Sequence, residues 1–123
     1  MGFAPDLLDR LRTTREVRIE TRRAPEAPAH RTIIWIVVDD RDRVLVRSFR
    51  GERGRWYREA LAHPACTVWI GSQSVDVRAE PAADPDRVAA TSAALSEKYA
   101  KSSSLPFMVQ ADVLETTLEL LPR

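Results

Sequence analysis

Val44-Leu-Val-Arg-Ser-Phe-Arg-Gly-Glu-Arg-Gly-Arg-Trp-Tyr57 is the stretch from which the rest of the chain is read. A short apolar strand runs into a turn rich in arginine and glycine. The turn runs into a helix that opens on an aromatic pair. Seven arginines fall between positions 41 and 58, against only Asp42 and Glu52, while the whole chain carries a net charge of +1. The excess of charge is therefore local. Guanidinium groups beside a flexible turn and a helix N-terminus suit a phosphate. Such a phosphate belongs to a nucleotide-like cofactor or to a nucleic acid. The plainer reading is a solvated, arginine-rich edge that discourages edge-to-edge association.

Outward from this stretch, the chain alternates between strand and helix signals. Asp6 to Arg12 has Leu7, Leu8 and Leu11 on one helical face. Glu16 to Arg23 alternates apolar and charged residues, as a half-buried strand does. Two prolines make residues 24–29 a loop. Thr32 to Val38 is continuously apolar and is expected to be a central strand buried on both faces. Asp39 to Asp42 is a polar turn leading to the partner strand, Arg43 to Phe49. After the glycine turn, Arg55 to Ala62 has helical spacing, ended by Pro64. Ala65 to Ile70 and Val75 to Glu80 form a hairpin about Gly71–Ser74. Asp84 and Pro85 open a helix running to about Lys101, with Val88, Ser92, Leu95 and Tyr99 at inward spacing. After a loop at 102–106, Val109 to Leu121 is expected to close the sheet. The expected class is mostly β: a six-stranded antiparallel split barrel with two or three short helices.

Bulk properties set the bounds. A chain of 123 residues, 44% hydrophobic and 30% charged, fits one domain over 1–123, with 1–13 as an N-terminal helix and lead-in. The near-zero net charge and a pI near 8.0 count against a nucleic-acid partner and an anionic membrane. Seventeen arginines against two lysines reflect a compositional bias, so placement carries more weight than arginine identity. One cysteine, Cys66, fits a reducing cytoplasm. The N-terminus lacks a charged segment followed by an apolar run, and no run reaches the ~18 apolar residues of a membrane span. His30, His63 and Cys66 are too widely spaced to suggest a metal site.

Several of these residues fall into a familiar order. Trp35, Val37, Val38, Asp39, Arg43, Val44, Val46, Arg47 and Ser48 are followed by Gly54, Trp56 to Arg58, Ala60 to Ala62 and Pro64. The chain closes with Lys98-Tyr99 and Thr116 to Arg123. Over roughly 14–123 this order resembles the FMN-binding split barrel superfamily. Its pyridoxamine-phosphate-oxidase-like and deazaflavin-dependent branches are the most similar, with a small branch of unknown function nearest. The resemblance implies a homodimer with two cofactor sites at the subunit interface and a small-molecule substrate. The cofactor it implies is FMN or the deazaflavin coenzyme F420. It places Arg47 and Ser48 beside the ring or ribityl chain, Arg50, Arg53 and Arg55 at the phosphate, Trp56 and Tyr57 in the wall, and Thr32 near the ring edge. The loop at 23–30 departs from the usual deazaflavin-branch pattern and the pair Arg55-Trp56 from the usual pyridoxamine-phosphate-oxidase pattern, so cofactor choice and substrate stay open.

Three functions are compatible with this reading. The first is an oxidoreductase that moves hydride between a flavin or deazaflavin and a small organic molecule. The second is a non-catalytic split-barrel carrier, sensor or haem-handling module. The third is a small barrel binding nucleic acid through arginines and tryptophans. No nucleophile–base pair is legible, so no catalytic residue and no metal ligand is assigned. His30, His63, Lys98 and Tyr99 are expected to be structural, and Cys66 a buried small residue.

Overall fold

The computed structural model describes residues 2–123; Met1, the first residue of the expected single domain, lies outside the described residues. The run expected as one strand over Thr32–Val38 is divided. Its first part belongs to β2 (His30–Ile34), which pairs with β1 (Val17–Thr21). Its last part is β3 (Val37–Val38), which pairs with β4 (Val44–Val46). With β5 (Ala65–Ile70), β6 (Gln73–Pro81) and β7 (Leu118–Pro122), the antiparallel sheet reads β2-β1-β5-β6-β7-β4-β3. β2 and β3 are thus the two ends of the sheet, joined through Trp35 and Ile36. One bent segment serves both edges, and the sheet curls into the expected split barrel, with seven strands instead of six.

The break has an identifiable cause. The Ile36 N–H donates to the Tyr99 hydroxyl at 3.2 Å, and its carbonyl accepts from the Lys98 ammonium at 2.6 Å. Ile36 spends both backbone groups on the end of a helix, so it cannot join a ladder. The expectation that this run is buried on both faces is corrected as well, since Ile33 is 55% exposed. The doubly buried strand is β4. Val44 and Val46 face the barrel interior, and Leu45 faces a second apolar cluster outside it.

The interior core takes Leu8 and Leu11 from α1 (Pro5–Thr13) and Trp56, Tyr57 and Ala60 from α2 (Arg55–Ala62). The outer cluster lies beneath α3 (Pro85–Lys98) and α4 (Leu105–Val109), with Leu95, Tyr99 and Met108 on Val37 and Leu45. Burial of one such leucine stabilises the fold by about 1.5–3 kcal/mol. α3 begins as the sequence dictates: the Asp84 carboxylate accepts the Arg87 N–H at 3.0 Å, and Pro85 takes the first turn. The β3–β4 turn is closed by Asp39, whose carboxylate accepts the backbone N–H groups of Arg41 and Arg43. Asp42 in that turn has φ +61°, which aspartate tolerates better than most residues.

The C-terminal segment differs from expectation. In place of a strand from Val109, there is α4, then a 3₁₀ turn over Ala111–Thr116, then the five-residue β7. Pro106 opens α4. The hydroxyls of Thr116 and Thr117 donate back to the carbonyls of Val113 and Leu114, both at 2.7 Å. Such local bonds compete with a sheet ladder. The second hairpin turn is also tighter than expected, since β6 begins at Gln73 directly after Gly71 (φ +60°) and Ser72. Among the described residues, no helix is long and apolar enough to cross a membrane.

Candidate functional site

The site grows from the end of β4. Beyond Val46, the Ser48 N–H donates to Thr116 Oγ1 at 3.1 Å, and its hydroxyl donates to the Gly51 carbonyl at 2.7 Å. Ser48 therefore folds the turn onto itself. Gly51 has φ +62°, a conformation that costs an L-residue about 1–2 kcal/mol. A 3₁₀ turn over Gly51–Arg53 follows, and Gly54 leads into α2. A Cβ on Gly54 would lie 2.4 Å from Ser48 Oγ. Gly54→Ala is therefore expected to cost about 1–3 kcal/mol, read as a fall in the urea midpoint. Ser48→Ala should recover part of that loss in the double variant.

The fold presents Arg50, Arg53, Arg55 and Arg58 outward, all exposed. None of the four makes a side-chain hydrogen bond or ion pair among the described residues, and Glu52 in the same turn pairs with none of them. Gly54 offers no side-chain cap to α2. The first N–H groups of that helix thus lack the usual acceptor. The result is a turn with unpaired cations around unpaired donors.

Two residues flanking the turn, Phe49 and Trp56, line a cavity of about 170 Å³ with Ile34, Trp35, Arg47, Ser104 and Met108. Phe49 in its wall is 53% exposed, and its ring meets that of Phe107, itself 51% exposed, edge to face at 5.9 Å. Arg47 is fully buried and meets no carboxylate. Its guanidinium donates to Thr117 Oγ1 (2.9 Å), Ser92 Oγ (2.9 Å), the Met108 carbonyl (3.0 Å) and the Val88 carbonyl (3.1 Å). Four of its five N–H donors are thus spent, tying β4 to α3, α4 and the start of β7. Burial lowers its pKa to about 10, so it stays cationic at neutral pH.

Of the eight residues singled out from the sequence, Arg47 and Trp56 meet in the cavity wall. Arg50, Arg53 and Arg55 share the turn beside it. Ser48 lies beneath the turn. Tyr57 is in the barrel core, edge-on to Trp56 at 6.4 Å. Thr32 is half-buried on β2, opposite Ile19. Sequence reasoning missed Phe49, Ser104 and Met108 as wall residues. An aromatic just ahead of a glycine turn, as Phe49 is, was a usable signal; α4 gave none.

Three other polar groups lie away from this cavity. His30 Nδ1 lies 3.1 Å from Glu59 Oε2, and the Thr21 hydroxyl donates to Glu59 Oε1 at 2.8 Å. The expected structural role of His30 thus rests on a partner that α2 supplies across 29 residues of sequence. Trp69 lies on the barrel exterior, where its indole N–H donates to Glu20 and Arg31 covers its ring at 4.0 Å. Lys98 donates to the carbonyls of Leu11 (2.7 Å) and Ile36 (2.6 Å), and burial lowers its pKa to about 8.

That shift has a signed consequence. Between pH 8 and 10.5 the unfolded state holds the Lys98 proton more often than the folded state does. This group therefore makes stability rise with pH through that window. Cys66, pushed up to about 11, and Tyr99, pushed up to about 12, act in the opposite direction. The clean readout is the difference between wild type and Lys98→Met in denaturant unfolding. It should move in favour of wild type as pH rises from 8 to 10.5.

A curled antiparallel sheet, a glycine-kinked strand-to-helix turn and covering helices define a split barrel. The chain belongs to the family described as "Uncharacterized protein conserved in bacteria (DUF2255)", whose model matches residues 7–120. Solved structures share the fold at low identity. HutZ, the heme storage protein from Vibrio cholerae, superposes with a TM-score of 0.71 at 12% identity, over 100% of this chain and 92% of its own. A conserved hypothetical protein from Mycobacterium tuberculosis gives 0.70 at 14%, over 98% and 79%. A Listeria innocua protein provisionally assigned as a pyridoxamine 5'-phosphate oxidase gives 0.67 at 12%, over 96% and 91%. No curated protein matches the chain.

Proposed function

We propose that two copies of this chain bind a flavin-type cofactor between them, FMN or the deazaflavin coenzyme F420, and act as an oxidoreductase on a small organic molecule. The observation that carries this reading is the turn over 50–58, where four exposed arginines without acidic partners adjoin an aromatic cavity. Arg50, Arg53 and Arg55, with the uncapped N–H groups of α2, suit a phosphate. Trp35 and Trp56 suit the face or edge of a planar ring. Arg47 brings a fixed positive charge to the same wall, where it would favour electron density gathering on a nearby ring oxygen.

The cavity supports the dimeric part of the reading by its size. At about 170 Å³ it is smaller than the roughly 300–1,000 Å³ of a typical small-molecule site. It takes part of a ring system, and the exposed Phe49 in its wall, with Phe107 against it, suits a covering surface from a second copy. When bound, the cofactor ring would supply hydride acceptance or donation; the chain would bind, orient and exclude water. Some proteins of this fold are heme binders by name, including HutZ. Here neither histidine lines the cavity, and His30 is engaged by Glu59, which favours the flavin reading.

The test is the visible spectrum of protein purified from a host that makes both cofactors, followed by reduction with a hydride donor. A flavin or deazaflavin band, bleached by the donor and restored by an organic acceptor, supports the proposal. A bound cofactor that never turns over would point to the carrier or sensor reading. A Soret band alone would overturn the cofactor assignment.

A further inference from the structure

A second, more open concavity lies elsewhere. A groove of about 1220 Å³ runs between α1, the β3–β4 hairpin and α3, and shares no lining residue with the aromatic cavity. Most of its charges are matched. Arg12 pairs with Asp9 and Asp42, Arg43 with Asp39 and Asp86, and Arg41 lies 3.8 Å from Asp86. Two cations are left over. Arg15 makes no ion pair or side-chain hydrogen bond among the described residues, and Lys98 meets only backbone carbonyls. The remaining acids of the groove, Asp40 and Glu97, are exposed and pair with neither.

Both cations lie beside the ring of Tyr99. The Arg15 guanidinium lies 5.6 Å and the Lys98 ammonium 5.3 Å from the centre of its ring. Trp35 stacks on that ring at 3.9 Å, 3° from parallel, and fixes its plane. The Tyr99 hydroxyl donates to the Arg15 carbonyl at 2.6 Å, which pins the backbone that carries the guanidinium. The Lys98 ammonium is fixed by its two carbonyls and retains a third N–H. A half-buried ammonium without a counter-charge is costly, and an anion beside it would offset that cost. Charge-assisted bonds from an arginine and a lysine are the usual means of holding an oxyanion.

We propose that this groove is a second ligand site, which takes the carboxylate or phosphate oxyanion of a small organic molecule at Arg15 and Lys98. The proposal stands apart from the cofactor reading and survives its failure.

The test is a titration followed by amide and indole NMR shifts at constant ionic strength. It uses the Arg50→Ala/Arg53→Ala/Arg55→Ala background, so that phosphate cannot report on the turn. Inorganic phosphate and acetate are the probes. At least one should give saturable shifts at the amides of Arg15, Lys98 and Tyr99 and at the Trp35 indole. A stronger response to phosphate marks a phosphate ester as the ligand, and a stronger one to acetate marks a carboxylate. Arg15 is exposed and its side chain makes no hydrogen bond among the described residues, so Arg15→Gln should weaken binding about tenfold with the rest of the spectrum largely intact. Lys98→Met should weaken binding as well, with ligand-independent shifts confined to the neighbourhood of Leu11 and Ile36, whose carbonyls lose a donor, and serves as the second variant. Absence of saturable shifts with both probes up to ~50 mM, a range that detects binding of only ~2 kcal/mol, would overturn the site. So would binding that Arg15→Gln leaves unchanged.

Discussion

Arg47→Ala is expected to destabilise the protein by about 2–4 kcal/mol, lowering Tm by roughly 10 °C. The side chain is buried, and its removal leaves acceptors on Thr117, Ser92, Met108 and Val88 without their donor. It also opens space next to an existing cavity. Arg47→Met fills most of that space and leaves the same acceptors unmatched, so it should lose about half as much. The opposing effect is the cost of burying a guanidinium that faces no carboxylate. If Arg47→Met proved more stable than wild type, that cost would exceed the value of the four bonds. The tie between β4 and the two outer helices would then be a functional rather than a stabilising feature. Thermal unfolding of both variants at neutral pH decides the point.

The second large effect concerns binding. Arg50→Ala and Arg55→Ala should each weaken FMN or deazaflavin affinity by about ten- to a hundredfold, since a charge-assisted bond to phosphate contributes about 1.5–3 kcal/mol. Both side chains are exposed and make no hydrogen bond or ion pair among the described residues, so the variants should unfold within about 0.5 kcal/mol of wild type. Affinity should also fall with salt for wild type and less so for the variants. This combination separates a phosphate site from a solvated edge, whose arginines could be removed without consequence to any ligand.

The sequence was most legible where a residue acts through its neighbours in the chain. The Asp84–Pro85 start of α3 and the extent of α2 follow from local signals, and the structure agrees with both. It was least legible where distant segments meet. The apolar run from Thr32 looked like one buried strand, because hydrophobicity does not reveal that Lys98 and Tyr99 capture the backbone of Ile36. The C-terminal run looked like a longer strand, because threonine favours strands until its hydroxyl finds a carbonyl three residues back.

The same division applies to the candidate site. The arginine turn could be seen as a local excess of charge. The cavity beside it could not, because its walls come from the β2–β3 bend, the end of β4, α2 and α4. The engagement of Arg47 by four neutral oxygens depends on residues 41 to 70 positions away, which no local pattern encodes. The pairing of His30 with Glu59 was hidden for the same reason. Its partner lies on a helix that packs beside β2 only in the folded chain.

The central claim is that the turn over 50–58 holds the phosphate of a flavin-type cofactor. Its most direct test is titration of FMN and of the deazaflavin coenzyme into wild type and into the Arg50→Ala/Arg55→Ala double variant, followed by cofactor fluorescence. The account predicts saturable binding of one cofactor to wild type with Kd below ~100 μM, about 5.5 kcal/mol, and a loss of at least about a hundredfold in the double variant. Failure of both cofactors to bind wild type, or equal binding to the double variant, would contradict it.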